Sequence, residues 1–274
     1  MDAHGIGLAA QPVAETAAAR ERSISYPTEA YERVQDGPAH DGFYLDHRAR
    51  VVTDLLRRFG VTGLWEIGSG SGNMALPLMR AGFDVTAVEP LESGAALSAR
   101  RGVSTICATL EELRLPDASL PAVGMFDVLE HLAAPAELLG EVRRVLQPDG
   151  ILVVTVPAAP ALWSDLDEAL GHYRRYRRAT LRAELREGGF DRLLVRHIYA
   201  SLVPAAGLLR ALPYRLGRRT TTSDVLASVE RELSLSPALD AAARSVLALE
   251  SALSRIVPLP CGLSLVGVFR RGRP

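Results

Sequence analysis

The stretch Leu64-Trp65-Glu66-Ile67-Gly68-Ser69-Gly70-Ser71-Gly72-Asn73 constrains the fold more than any other part of the chain. An apolar run ends in an acid, a glycine-rich turn follows, and Met74 to Arg80 reads as a helix. This is a strand, a tight loop and a helix N-terminus, the usual place for a nucleotide-like cofactor in an α/β sheet. The glycines let the backbone turn sharply and approach a ligand closely.

Spacing narrows the cofactor. A dinucleotide fingerprint needs G-x-G-x-x-G, and Asn73 stands at its third glycine position. The acid before the turn, Glu66, would repel a diphosphate and welcome a sulfonium that carries an α-amino group. Strand two is expected at Phe83 to Val88, with Glu89-Pro90 at its end. A carboxylate about 20 residues past the glycines can accept from both hydroxyls of a ribose.

Three more segments continue a βα alternation: Gly102 to Cys107, Ala122 to Phe126 and Ile151 to Val156 read as strands. The last is apolar on both faces, as a covered central strand requires. Ala136 to Leu146 is an amphipathic helix, and Gln147 to Gly150 reads as a turn. Asp127-Val128-Leu129-Glu130-His131-Leu132 follows the fourth strand.

Glu66 with Gly68, Gly70 and Gly72, then Glu89, then "LEHL" and "QPDG", in this order, resemble the class I S-adenosylmethionine (SAM) methyltransferases. The resemblance covers roughly Leu45 to Phe190 and the last strand. It implies a Rossmann-like α/β fold, with seven mostly parallel strands, the last antiparallel, and helices on both faces. It implies SAM as the cofactor and S-adenosylhomocysteine as the product. The implied donor site is Glu66, Gly68, Ser69, Gly70, Gly72, Asn73, Glu89, Pro90, Thr109, Leu110, Phe126 and Asp127. Thr109 stands where the family commonly has an adenine-binding Asp, and Pro121 replaces an acid before strand four.

A neutral acceptor must lose a proton. His131, after strand four, is the first candidate base and His172 the second. The implied acceptor wall is Tyr44, His131, Trp163, His172, Tyr173, Arg175 and Tyr176, with Tyr26, Tyr31 and His47 as further candidates. The run Arg174, Arg175, Arg177, Arg178 reads as an ion-pairing surface, or as a clamp on a carboxylate or phosphate. D-x-x-E-H (Asp127, Glu130, His131) is similar to the segment of quinone-type O-methyltransferases where a divalent metal binds a catechol; a metal-free site is the expectation.

Four regions follow: a tail and lid segment at 1–42, a SAM-binding core at 43–199, a helical insertion at 200–260, and the last strand within 261–274. The insertion is expected as an acceptor lid or a homodimer contact. Thr180 is expected to cap a helix reaching Gly188.

Composition excludes other classes. The net charge is −1 and the short arginine run stands alone, which argues against a nucleic-acid partner. No apolar stretch reaches membrane-spanning length and no signal peptide is visible, so a cytoplasmic location is expected. The two cysteines, Cys107 and Cys261, are expected to pack as small hydrophobes. The expected activity is methyl transfer to a small molecule, at oxygen before nitrogen or carbon, in bacterial specialised metabolism. The alternatives are an NAD-dependent oxidoreductase and a non-catalytic relative that binds a lipid or partner through Ser201 to Leu216.

Overall fold

The computed structural model describes residues 42–225, 227 and 235–273. Tyr26, Tyr31 and nearly all of the 1–42 segment lie outside the described residues. In chain order come α1 (Phe43–Arg58), β1 (Gly63–Ile67), α2 (Ala75–Arg80), β2 (Asp84–Val88), α3 (Glu92–Arg100) and β3 (Thr105–Ile106). Then follow β4 (Leu120–Phe126), α4 (Pro135–Val145), β5 (Leu146–Pro157), α5 (Asp165–Ala169), α6 (Arg178–Glu187) and β6 (Phe190–Ile198). The insertion holds α7 (Val203–Ala206), a π-turn (Gly207–Ala211), α8 (Leu212–Arg215) and α9 (Pro237–Ser254), and β7 (Ser264–Arg271) ends the sheet.

The seven strands lie in the order β3-β2-β1-β4-β5-β7-β6. The pairs among β3, β2, β1, β4 and β5 are parallel, and β7 runs antiparallel between β5 and β6. Connections leave β1 toward β2 and β3, then cross back to β4. This reversal opens a crevice at the carboxyl ends of β1 and β4. Alternation along the strands builds a core on each face. Leu152, Val154 and Val156 of β5 pack with Leu139, Val142 and Leu185 of α4 and α6. Val153 points the other way, toward Val52, Leu56, Leu78 and Leu247 of α1, α2 and α9. Among the described residues, no helix is long and apolar enough to cross a membrane.

The insertion is partly a structural element. Glu250 of α9 accepts from the backbone N–H groups of Ala200 and Ser201 at 3.0 and 2.7 Å. Asp240 accepts from Phe43 N–H at 3.1 Å, at the start of α1. Thus α9 holds α1 beside the crevice.

Several expected boundaries move. α2 begins at Ala75, after a turn, which places Pro77 in its first turn. The third strand shortens to Thr105–Ile106. β4 starts at Leu120, with Pro121 as its second residue. Leu120 pairs with Leu146 and Ala122 with Ile151, so residues 147–150 bulge out of the β4–β5 ladder. α6 begins two residues before Thr180, which caps it from inside: its Oγ accepts from Arg177 N–H at 2.9 Å. Cys261 is exposed, not packed. Leu152 is fully buried in the central β5. Leu152→Ala is expected to cost about 2–5 kcal/mol, read as a lower urea midpoint at unchanged slope.

Candidate active site

A single cavity of about 1020 Å³ occupies the crevice. Its inner end is built by the loop after β1. Gly68 and Gly72 both have positive φ, +72° and +78°, which a side chain would strain. A Cβ on Gly68 would lie 2.8 Å from Val128, and one on Gly72 2.8 Å from Ser98 Oγ. Gly68 and Ser69 donate to Val88 O at 2.8 and 3.1 Å, tying the loop to β2. Glu89 finishes that tie. Its carboxylate accepts Gly70 N–H at 2.6 Å and Leu91 N–H at 3.0 Å.

Most of the expected donor residues line this cavity: Glu66, Gly68, Ser69, Gly70 and Asn73 from the first turn, Glu89 and Pro90 from the second, Thr109 and Leu110, then Phe126 and Asp127. Gly72 does not; it faces Ser98 and Val103, so its role is packing. Thr109 is already engaged, since its hydroxyl accepts from Glu112 N–H at 3.3 Å and its N–H donates to Glu112 at 2.8 Å.

The cavity floor is strongly polar. Asp127 sits at φ +56°, in the left-handed region that Asp tolerates better than most residues, and its carboxylate pairs with buried Arg48. Thr155 Oγ donates to the same carboxylate at 2.9 Å. Burial pushes Glu66 up to about 8; Arg48 offsets this in part and Glu89 adds to it. Burial likewise lifts Glu89 to about 7, against its two backbone hydrogen bonds. Glu66 Oε2 is buried without a hydrogen-bond partner. An unpartnered carboxylate oxygen in a lined cavity fits a ligand that brings N–H donors or positive charge, as a SAM amino acid portion does.

Past Asp127, a short turn at Leu129–His131 places Glu130 and His131 on the floor. Glu130 is fully buried, neither carboxylate oxygen has a hydrogen-bond partner, and burial lifts its acid to about 8. The His131 ring meets the His172 ring edge-on, centroids 4.8 Å apart. Burial and the neighbouring His172 hold His131 down to about 3, so it stays neutral and is a poor base. His172 Nδ1 lies 2.9 Å from Asp167 Oδ1, an arrangement that orients its ring. Burial alone would raise Asp167, but hydrogen bonds from His172 and Arg175 outweigh it and hold the acid below its ordinary value.

Of the expected acceptor wall, Tyr44, His131, His172 and Arg175 line the cavity. Trp163, Tyr173 and Tyr176 are not among its lining residues. Tyr173 is half exposed, and Tyr176 turns into the core, where its hydroxyl donates to Glu184 at 3.0 Å. His47 lines a separate, smaller cavity. In the arginine run, Arg177 is exposed, Arg174 stands 4.0 Å from Glu184, and three of the four bond within the chain. Arg174 donates to Leu132 O and Ala133 O, Arg178 to Leu259 O, and Arg175 to Asp167 and Ala158 O. These bonds staple the segment after α5 to the cavity floor.

Sequence reasoning missed Arg48 and Asp167. Arg48 lies 79 positions from its partner and carried no signal. Asp167 did carry one: Ser164 and Asp167 form a capping box, an S-x-x-D spacing legible in the chain. It also missed the cavity's apolar outer wall, from Leu162, Leu166, Leu202 and Leu209.

Residues 65–154 match the family model described as a methyltransferase domain. A probable S-adenosylmethionine-dependent methyltransferase of Mycolicibacterium smegmatis is 30% identical over 164 residues, 58% of this chain and 64% of that protein. Over its core the chain is similar to SAM-dependent methyltransferases of class I. Another relative, a ubiquinone biosynthesis O-methyltransferase of a Caulobacter species, is 35% identical over 41% of this chain and 45% of its own. The chain thus spans less than two thirds of these curated relatives. A SAM-dependent methyltransferase structure from Thermotoga maritima aligns over 84% of this chain and 93% of its own, with a TM-score of 0.51 and 20% identity, which shows a shared fold.

The raised acids of this methyltransferase fold set a pH dependence. Glu66 holds a proton in the folded chain up to about pH 8, whereas an unfolded Glu releases it near 4.5. The folded state therefore binds more protons across that window, and stability falls as pH rises through it. Glu66→Gln is expected to lose less stability than the parent between pH 5 and pH 8.5, read as thermal midpoints of the ligand-free protein.

Proposed function

We propose that this chain transfers a methyl group from SAM to a hydroxyl of a small-molecule acceptor. One observation carries the reading: a single cavity joins the Glu66–Glu89 end to the Glu130–His131–His172 cluster. Donor and acceptor therefore meet inside one walled space. Holding two reactants in line supplies up to about 7–11 kcal/mol of the barrier.

Glu89 would accept from ribose hydroxyls on the lone pairs its backbone donors leave. Glu66 would face the amino acid end of SAM. The acceptor oxygen forms its bond to the methyl carbon as the carbon–sulfur bond breaks, and that electron pair passes to sulfur. The hydroxyl proton goes to the cluster. A hydroxyl acceptor needs such proton-accepting groups at the floor, and the cluster supports oxygen over carbon for that reason. The leucine-lined outer wall favours an acceptor with an apolar body. The unpartnered Glu66 oxygen at the turn argues against the dinucleotide alternative, whose pyrophosphate brings neither N–H donors nor positive charge to it.

Calorimetry with S-adenosylhomocysteine and NAD separates the readings: binding of the first and silence with the second are expected, and the reverse would refute the proposal. Glu89→Ala should weaken S-adenosylhomocysteine about 10- to 100-fold, the worth of charge-assisted hydrogen bonds. With an acceptor found by a one-methyl mass gain across a hydroxylated metabolite panel, His172→Asn should lower kcat at least about 100-fold. Its S-adenosylhomocysteine affinity should stay near that of the parent.

A further inference from the structure

We infer that Glu130, His131 and His172 form a binding site for one divalent transition-metal ion, of the zinc, iron or manganese kind. One ligand atom from each of the three lies within 4.8 Å of the others. The three come from two separate segments, which Tyr173 N–H, donating to Glu130 O at 2.8 Å, holds together. Two imidazoles and one carboxylate are a donor set suited to these ions, leaving positions open for other ligands.

Three observations point the same way. First, Glu130 is fully buried, yet neither of its carboxylate oxygens has a hydrogen-bond partner. A carboxylate is costly to bury in that state, and a bound cation would satisfy it. Second, Asp167 takes His172 Nδ1, which leaves Nε2 as the ring's ligand atom. A carboxylate behind a ligating imidazole is the usual way its orientation is fixed. Third, the two nearby arginines offset part of the charge but give Glu130 no hydrogen bond: Arg48 bonds to Asp127 and Arg175 to Asp167.

The set differs from the D-x-x-E-H reading of the sequence. Asp127 belongs to the Arg48 pair, and His172, 41 positions after His131, takes its place. Donors at about 2.1 Å from one tetrahedral ion stand about 3.4 Å apart. The widest separation in the cluster must therefore close by up to roughly 1.4 Å, through side-chain rotation. All three residues line the cavity. The ion's role rests on the methyltransferase reading: with all three side chains ligating, a hydroxyl made more acidic at an open position would release its proton to water in place of the bare cluster.

The full chain, stripped with a chelator and dialysed, would be titrated with Co2+ and then with Zn2+ in competition. One ion per chain is expected, with cobalt absorption bands of a nitrogen- and oxygen-ligated site that zinc removes. Glu130→Gln and His172→Asn should each weaken Co2+ at least tenfold, with circular dichroism unchanged. Asp127→Asn should bind Co2+ as the parent does. Less than stoichiometric uptake by the parent, parent-like affinity in both ligand variants, or loss of binding in Asp127→Asn would overturn the site. S-adenosylhomocysteine calorimetry on the same samples separates the two claims. Binding of that product without metal uptake sinks only the ion, and metal uptake without it sinks only the methyl-transfer reading.

Discussion

Everything in the crevice depends on one buried carboxylate. Glu89 stands at the end of β2 and accepts a backbone N–H from the β1 turn and another from its own turn. These two bonds hold the edges of the crevice at one spacing. The glycine turn has little stiffness of its own, since positive φ at Gly68 and Gly72 costs glycine nothing. Its shape is set by Val88 O below and Glu89 beside it. The sheet reversal between β1 and β4 then decides where that turn opens.

A second constraint is electrostatic. Glu66, Glu89 and Glu130 are all buried at one cavity, and burial lifts all three acids. Arg48 moderates the charge at Glu66 and at Glu130, but its own hydrogen bond goes to Asp127. A site with this surplus of acid suits cationic or N–H-rich ligands, which favour the ionised form that burial alone disfavours. The same surplus links its two ends: the Glu66 end suits a sulfonium donor, and the Glu130 end a metal ion.

How much of this was legible in the chain follows contact range. Glu66, the glycine turn and Glu89 were legible because each acts within a strand–turn–helix unit. The apolar run Ile151 to Val156 announced a central strand because both its faces are covered. Arg48 with Asp127 was not legible, since only the folded sheet brings α1 over the end of β4. Tyr176 misled for a related reason: an aromatic beside arginines reads as a pocket wall, yet Glu184, nearly two turns into α6, draws its hydroxyl inward. The arginine run misled in the same way, because its partners are mostly backbone carbonyls, which carry no side-chain signature. Asp167 was readable through its capping box, but its partner His172 lies beyond α5.

The central claim is that the Glu66–Glu89 crevice holds a sulfonium methyl donor. A crystal structure with S-adenosylhomocysteine tests it most directly. The account predicts both ribose hydroxyls within about 3 Å of the Glu89 carboxylate and the amino acid portion beside Glu66. A ribose elsewhere in the cavity, or a crevice that stays vacant at saturating product, would contradict it.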